Sequence, residues 1–180
     1  MHKLFGHTIV FLALMLAGCA NSYRIERDGG ASNPTVPLIA KTDRVLVTLP
    51  SDGAYGATRY QGSGQSTQQS VIASLAAMGV SVSVGGPCDD PAAASAMGKQ
   101  AGVQWVVAPR IHQWEDRATE WSGLPDRIRI ELRTIATSSS SPTDITIVEG
   151  SSKWATFGGD HPQDMLLPAL KPWAEAIVKK

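Results

Sequence analysis

Short apolar runs separated by polar turns give the chain an alternating pattern of strands and helices. Residues 44–49, "RVLVTL", form a β-branched apolar run that stops at Pro50, which favours a buried strand. After a glycine-rich loop, apolar positions recur at helical spacing, and Ser66 with Gln69 three residues later predicts a capping box at the helix start. The ordered part of the chain is therefore predicted to open with a strand followed by a helix.

The middle of the chain repeats this order. Residues 80–84, "VSVSV", alternate as a strand does, and the next helix is predicted to begin with Asp90 as its cap and Pro91 in its first turn. Gly102 follows the end of that helix, and residues 103–114 are predicted to form a third strand. Both connections are long enough to join parallel strands.

The last part of the chain predicts two more strands and a helix. In residues 127–135, "RIRIELRTI", isoleucine and leucine alternate with arginine and glutamate, as in an antiparallel strand with one buried face. A fifth strand follows the next turn, with Gly150 as a predicted bulge. The final helix is expected to be capped by Asp160 and to be kinked or divided by Pro168 and Pro172.

These elements predict an α/β fold at the α+β borderline. The order β-α-β-α-β-β-β-α gives one mixed sheet of about five strands, in which the last three form an antiparallel meander. Helices packed mainly on one face would bury the apolar strand faces and leave the arginine-bearing face in water. Residues 43–180 make up this single globular domain, which fits the chain length of 180 residues.

The N-terminus predicts export and lipidation. Lys3 precedes an apolar run, residues 8–16, which is too short to cross a bilayer and suits a signal peptide over residues 1–18. The residues L-A-G-C, which end at Cys19, resemble the lipoprotein box of bacteria. The resemblance implies cleavage before Cys19, a diacylglycerol on its thiol and an acylated amino terminus, and several acyl chains anchor a protein stably. Ala20 in place of aspartate implies, by the same resemblance, the outer membrane and a position facing the periplasm.

Residues 19–42 are predicted to be the lipidated N-terminus and a flexible tether. They are mostly polar, contain Gly29, Gly30, Pro34 and Pro37, and have no long apolar period. Such a tether would have a coil span of about 25 Å, and at most ~70 Å when fully extended. It would let the domain search for partners near the membrane to which the lipid holds it.

Composition narrows the possible classes of function. The formal net charge is +0, which argues against a nucleic-acid partner. Of the two cysteines, only Cys88 is left once Cys19 is lipidated, so no disulfide framework is expected, and Cys88 is predicted to be buried or half-buried. Neither the histidines nor the glycine-rich loop matches a metal-binding or phosphate-binding motif, so no metal and no cofactor is predicted.

The most unusual chemistry lies in "WEDRATEWSGLPDR", residues 114–127, between the third and fourth predicted strands. Tryptophan and arginine are over-represented in interface hot spots, so this stretch predicts a binding surface. The structural alternative is that the tryptophans pack the hairpin together and the charges hold its turn. The predicted hot spot combines Trp114, Arg117, Glu120 and Trp121.

A second unusual stretch supports the predicted binding surface. It contributes Trp154, Phe157 and Asp160, which follow the fifth predicted strand. The fourth and fifth strands are expected to be neighbours in the sheet, so the two stretches belong to adjacent strands. The sequence leaves open whether both stretches lie at the same end of the sheet.

A catalytic alternative uses the first of these stretches. Glycan hydrolysis needs a pair of carboxylates, one of which acts as an acid, and Glu115, Asp116 and Glu120 are the candidates. Carboxylates flanked by arginines tend to stay ionised, which does not suit a general acid. The sequence therefore favours a non-enzymatic role and predicts no catalytic residue, with a glycan-acting envelope hydrolase and a purely structural lipoprotein as the alternatives.

Three segments, "LPSDGAYGATRYQGSGQST", "HQWEDRATEWSGLPDRI" and "SKWATFGGDHPQD", resemble a group of small lipoproteins of Gram-negative bacteria that are known only as a domain of unknown function. The resemblance covers the chain from about Arg44 to Trp173 and implies a lipoprotein without naming an activity. The strand order is also similar to that of periplasmic α/β lipoprotein domains, such as the activators of penicillin-binding proteins and the N-terminal domain of the Tol-Pal translocation protein. This analogy of fold favours a tethered module whose partner is an envelope protein or peptidoglycan.

Overall fold

The computed structural model describes residues 21–28, 37–117, 124–152 and 161–180. In chain order the elements are β1 (Ser22–Asp28), β2 (Arg44–Leu49), β3 (Ala54–Tyr55), β4 (Thr58–Arg59), α1 (Ser63–Ala77), β5 (Ser81–Pro87), α2 (Pro91–Gln100), β6 (Trp105–Glu115), β7 (Arg127–Ala136), β8 (Asp144–Ser151), a 3-10 helix (Pro162–Met165) and α3 (Leu166–Ile177).

One mixed sheet organises the described residues. Its six strands lie in the order β1-β8-β7-β6-β2-β5, and β3 pairs with β4 in a separate small hairpin. β2 runs parallel to both β5 and β6, whereas β6, β7, β8 and β1 are antiparallel neighbours. The predicted α/β class and its single mixed sheet are therefore confirmed, with one strand more than the five expected.

The additional strand, β1, corrects part of the predicted tether. Ser22–Asp28 pairs residue by residue with β8, from Ser22 opposite Ser151 to Asp28 opposite Ile145. The stretch "SYRIERD" looked like a linker because it is polar, as an edge strand with one face in water is. Its single aliphatic residue, Ile25, packs against the core. Residues 29–36, also assigned to the tether, lie outside the described residues.

Helices cover both faces of the sheet unequally, because α1 and α3 pack on one face and α2 packs on the other. Alternation along β2 shows this directly: Val45 and Val47 lie in the core with α1 and α3, whereas Leu46 joins the smaller cluster with Ala94 of α2. The expectation that helices pack mainly on one face is confirmed. Within the described residues no helix is both long and apolar enough to cross a membrane.

The start of α1 differs from the prediction. The helix begins at Ser63, after Gly62 with a positive φ of 84°, so Ser66 lies inside the helix and does not cap it. The cap comes from elsewhere in the chain: the Asp52 carboxylate accepts a hydrogen bond of 2.9 Å from the Gly64 amide. A carboxylate at a helix N-terminus is stabilising, and one supplied from the preceding loop leaves no local sequence signature.

Gly150 is not a bulge. It stays in register between Tyr23 of β1 and Ile128 of β7, and a Cβ at Gly150 would lie 3.0 Å from the Ile128 side chain. The absence of a side chain at Gly150 therefore leaves room for Ile128 to pack closely against the β8 backbone. Irregular register occurs instead in β6, between Ile111 and Gln113.

The C-terminal helix is continuous through both prolines. Pro168 lies in its first turn, where backbone N–H groups have no partner within the helix. Pro172 removes one hydrogen bond inside the helix, but Leu170, Trp173 and Ile177 are buried, and this packing holds the helix together. The predicted division is wrong. The N-cap of the preceding 3-10 helix is His161, whereas Asp160 lies outside the described residues.

The strand directions define two ends of the sheet. We call the end at which β2, β5, β6 and β8 finish and β1 and β7 begin the upper end. The three α-helices also begin there, and the β3–β4 hairpin lies between the end of β2 and the start of α1. In α/β sheets, ligands are usually bound at the end where the parallel strands finish.

Candidate functional site

Both unusual stretches of the sequence extend from a strand that finishes at the upper end: the first joins β6 to β7, and the second leads from β8 to the 3-10 helix. Glu115 is paired with Arg127, and Arg127 is paired with Ser151, so the last residue of β6, the first of β7 and the last of β8 form one row. The question left open by the sequence is thus answered for the described flanks. The remaining predicted site residues, namely Cys19, Glu120, Trp121, Trp154, Phe157 and Asp160, lie outside the described residues.

A buried aspartate joins the flanks of the two stretches. The Asp126 amide donates a hydrogen bond of 2.9 Å to Ser152 Oγ, and the Ser152 amide donates one of 3.0 Å to the Asp126 carbonyl oxygen. The Asp126 carboxylate also accepts a hydrogen bond of 2.6 Å from the Arg117 amide. Asp126 is fully buried, so these bonds are shielded from water and fix the bases of both connections against each other.

Arg117 is held on both sides. Its guanidinium forms an ion pair of 2.5 Å with Glu115, which is 3% exposed, and Gln113 donates a hydrogen bond to the same carboxylate. On the other side the guanidinium lies 5.0 Å from the centre of the Tyr55 ring and donates to the Tyr55 hydroxyl over 3.0 Å. The arginine is thereby presented in a fixed position, with 21% of its side chain exposed.

Asp116 and His161 connect the two stretches on the exposed side. His161 Nδ1 lies 3.2 Å from Asp116 Oδ1, and the His161 amide donates a hydrogen bond of 3.0 Å to Asp164. The Tyr60 hydroxyl donates to the Asp116 carbonyl oxygen over 3.3 Å. The hydrogen bond to Asp116 raises the pKa of His161, and the negative charges of Asp116, Asp164 and Asp126 add to this effect.

Trp114 packs in the core and does not contribute an exposed side chain to the predicted hot spot. It is 3% exposed, and it faces the core because the irregular register between Ile111 and Gln113 reverses the alternation along β6. Gly53 packs directly against it, since a Cβ at Gly53 would lie 2.6 Å from Trp114 Cβ. Trp114 therefore matches the structural alternative for this tryptophan.

The second histidine of the domain lies away from this site. His112 Nε2 lies 2.8 Å from Glu131, which also forms an ion pair with Arg133. Burial raises the pKa of Glu131, but the hydrogen bonds and charges of Arg133 and His112 outweigh it and lower the pKa overall. Arg127 and Arg129 face water as predicted, whereas Arg133 is buried and donates to the Asp89 carbonyl oxygen over 2.9 Å.

An open cavity of about 490 Å³ lies beside the Asp116–His161 pair. Its lining includes Arg59, Tyr60, Gln61 and Ser66, together with Asp116. The volume is within the range of small-ligand and side-chain pockets, and the lining groups are hydrogen-bond donors, acceptors and a cation. Within the described residues no cluster of three or more histidine, cysteine, aspartate or glutamate side chains is arranged to hold a metal ion. The arrangement is thus chemically suited to recognising polar and charged groups.

Several residues of the site were not singled out in the sequence. Tyr55 and Tyr60 lie in the glycine-rich loop, and the presence of two tyrosines among glycines could have identified them as candidate site residues. Asp126 and Ser152 have no motif, and their role follows only from strand register. Cys88 is half-buried as predicted, and its thiol lies 3.3 Å from the Asp90 carbonyl oxygen.

Comparisons with known proteins give a family and a fold. The model of a domain of unknown function, DUF4823, matches residues 38–177, and no curated protein matches the chain. A PelC dodecamer from Paraburkholderia phytofirmans is similar at 14% identity and a TM-score of 0.62, covering 88% of this chain and 100% of that one. A PelC variant from the same organism, also a dodecamer, gives 14% identity and a TM-score of 0.63 over 86% and 98% of the two chains. A lipoprotein from Neisseria meningitidis has 12% identity and a TM-score of 0.46, covering 74% of this chain and 98% of that one.

Proposed function

This chain belongs to the DUF4823 family of domains of unknown function, and we propose that it is an outer-membrane lipoprotein that acts by binding another envelope protein. The lipid would be attached to Cys19, because L-A-G-C follows a short apolar run of signal-peptide character. Ala20 after that cysteine supports the outer membrane, with the domain facing the periplasm.

One observation carries the proposal: both unusual stretches start and finish at the same end of the sheet. Residues 118–123 and 153–160 contain Glu120, Trp121, Trp154, Phe157 and Asp160, and the described flanks of the two stretches are joined by Asp126 and Ser152. A surface that brings together tryptophan, arginine and tyrosine has the composition of an interface hot spot.

The described carboxylates support binding over glycan hydrolysis. Glu115 is buried and ion-paired with Arg117, and Asp116 is engaged by His161, so each already has a partner in the folded domain. Arg117 stacked on Tyr55 is instead a preorganised group of the kind that anchors protein interfaces. The proposed hot spot is therefore Arg117, Glu120 and Trp121, without the buried Trp114, and supported by Trp154, Phe157 and Asp160.

The proposal is tested by crosslinking in cells from a photoreactive residue at Leu124, which is 49% exposed within the first stretch. The matched control is the same residue at Ser140, exposed in the turn between β7 and β8 at the opposite end of the sheet. Support requires one envelope protein to be captured from Leu124 and not from Ser140. The capture must also be lost in a Trp121→Ala variant whose unfolding curve is unchanged, and the purified pair must bind each other.

Other outcomes would change the proposal in defined ways. Capture of a second copy of this chain would indicate self-assembly, for which the dodecameric PelC structures are a precedent on the same fold. Binding of purified peptidoglycan, lost in Trp121→Ala, would replace the protein partner by a glycan. Equal capture from Leu124 and Ser140, or capture unaffected by Trp121→Ala, would contradict a binding surface at the upper end.

A further inference from the structure

The pairing of β1 with β8 places the predicted lipid very close to the folded domain. Cys19 precedes the first residue of β1, Ser22, by three residues, and Ser22 begins its strand at the upper end of the sheet. Consecutive Cα atoms are ~3.8 Å apart, so the Cα of Cys19 lies within about 11 Å of that of Ser22. The lipid therefore leaves the domain from the upper end.

This distance is short compared with the dimensions of a bilayer. The headgroup layer on each side is roughly 5–7 Å thick. When the lipid is inserted in the hydrocarbon, the upper end of the domain is therefore within a few ångströms of the headgroups. A tether through residue 42 would instead have allowed a span of about 25 Å. With β1 docked, the short link to the lipid would hold the domain against the membrane, whereas the predicted tether would have let it search freely.

β1 is held in the sheet along its whole length. All seven of its residues, Ser22–Asp28, have a partner in β8, and the register is continuous. Ile25 packs against the main core cluster, so the strand has a buried side chain as well as backbone hydrogen bonds. Detaching β1 would expose this residue and leave β8 as an open edge, and both effects oppose undocking.

The residues beside the point where the lipid leaves the domain suit phospholipid headgroups. Arg127 stands in the row Ser22–Ser151–Arg127 across three strands, it is exposed, and its guanidinium has no carboxylate partner among the residues that the structure describes. Tyr23 is 37% exposed, and the lining of an open cavity of about 500 Å³ includes Tyr23, Arg24 and Arg127. Arginine binds phosphate well, and tyrosine is favoured at the headgroup level.

We infer that the upper end of the domain lies against the phospholipid surface in which the lipid on Cys19 is inserted, with Tyr23 and Arg127 contacting the headgroups. The inference rests on the proposed function, since it requires that lipid. It also refines that function: a partner bound at the upper end is reached in the plane of the same membrane. The opposite end, with Lys41 and Lys179 around a separate cavity, faces away from the membrane.

The orientation is tested on the acylated full chain in vesicles of phosphatidylethanolamine and phosphatidylglycerol. In a Cys88→Ser background, a fluorophore is attached either to Ala57→Cys, at the tip of the β3–β4 hairpin, or to Ser140→Cys at the opposite end. Headgroup nitroxide lipids should quench the label at position 57 at least threefold more than the label at position 140. Equal quenching in protein that sediments with the vesicles overturns the orientation.

Two variants separate docking from simple anchoring. Insertion of a flexible glycine-serine segment of about 20 residues between Ala20 and Asn21 should remove the difference between the two labels while the protein still sediments with vesicles. Arg127→Gln should weaken the quenching at position 57 without changing acylation. If the insertion leaves the difference intact, β1 docking does not set the orientation and the inference fails.

Failure of the proposed function has a different signature from failure of the orientation. A chain that receives no lipid and does not sediment with vesicles contradicts both the lipoprotein proposal and the inference. A chain that is acylated, sediments and captures a partner from Leu124, yet shows equal quenching at positions 57 and 140, contradicts only the inference.

Discussion

His161 and Asp116 are separated by 45 residues in the chain, yet His161 Nδ1 lies 3.2 Å from Asp116 Oδ1 at the upper end of the sheet. Asp116 lies in the first unusual stretch, and His161 directly follows residues 153–160 of the second. The buried hydrogen bonds between Asp126 and Ser152 connect the same two stretches in the interior of the domain, whereas the His161–Asp116 pair connects them at the surface. The two connections together hold the flanks of the proposed binding surface in one arrangement.

The His161–Asp116 pair is expected to make stability depend on pH. The hydrogen bond to Asp116 raises the pKa of His161 above its usual value of 6.5. A histidine with a raised pKa in the folded state contributes its full stabilisation below the unfolded-state pKa, and that contribution is lost as the pH rises through the folded-state pKa. Asp116→Asn should therefore lower the free energy of unfolding at pH 5.5 and have little effect at pH 8.5.

The expected size is small because the His161 side chain is 53% exposed. Pairs exposed to solvent are worth up to about 1 kcal/mol, which urea unfolding at the two pH values can resolve. In a His161→Gln background, Asp116→Asn should have the same effect at both pH values. An NMR titration should also show the pKa of His161 falling in Asp116→Asn, and an unchanged pKa would contradict the pairing.

The contact between Gly53 and Trp114 predicts a cost for adding one methyl group. In Gly53→Ala the new Cβ would lie 2.6 Å from Trp114 Cβ and 2.9 Å from Ile111 Cγ2, and both neighbours belong to the same strand. Overpacking of this kind destabilises by about 1–3 kcal/mol. The matched control is Gly86→Ala, where a Cβ would meet nothing within 4 Å. Equal free energies of unfolding for the two variants would show that Gly53 does not pack so closely on Trp114.

Replacing Arg117 should affect stability as well as binding. Arg117→Met leaves the carboxylate of Glu115, which is 3% exposed, without its cation. Breaking a buried ion pair costs about 3–5 kcal/mol, and we expect the lower end of this range because Arg117 is 21% exposed. The free energy of unfolding of Arg127→Met, in which an exposed arginine is lost, serves as the control and should change little.

A double variant identifies the cause of that loss. Glu115→Gln should be less damaging in the Arg117→Met background than in the wild type, because it removes the uncompensated charge. Additive effects would mean that the two side chains do not interact. Because Arg117 contributes to folding, Trp121→Ala is the better variant for testing binding alone.

Alternation in the sequence predicted the part of the fold that buries apolar side chains on one face. Ile128, Ile130 and Leu132 are all buried as the pattern of β7 requires, and Asp90 caps α2 through a bond to the Ala93 amide of 2.7 Å. These features are local, because a strand period or a cap involves residues only two or three positions apart. They could be predicted without knowing what lies across the sheet.

The features that the sequence did not show depend on distant partners. The register shift between Ile111 and Gln113 turns the Trp114 side chain into the core, and no local sequence motif predicts this shift. The cap of α1 comes from Asp52, on a separate loop. The same division applies to the candidate site. The composition of its two stretches could be recognised in the sequence. That Asp126 and Ser152 connect them could not, because it depends on the register of three strands.

The docking of β1 leads to the last prediction, which concerns Ile25. This side chain lies opposite Val148 and packs against the core, whereas the neighbouring Arg24 side chain is 70% exposed. Ile25→Asp places a charge in that contact and should lower the free energy of unfolding by about 1–3 kcal/mol, whereas Arg24→Gln should change it by less than about 0.5 kcal/mol. Urea unfolding measures both changes.

Hydrogen exchange then distinguishes a docked strand from a tether. If β1 is docked, the amides of residues 22–28 should be protected in Arg24→Gln and should exchange rapidly in Ile25→Asp, because the buried charge favours detachment of the strand. Rapid exchange over residues 22–28 in the unmodified chain would contradict the docking of β1 and support the prediction of a flexible tether. In the acylated protein, Ile25→Asp should also reduce quenching of the label at position 57, since detaching β1 lengthens the link between the lipid and the domain by at least the seven residues of the strand.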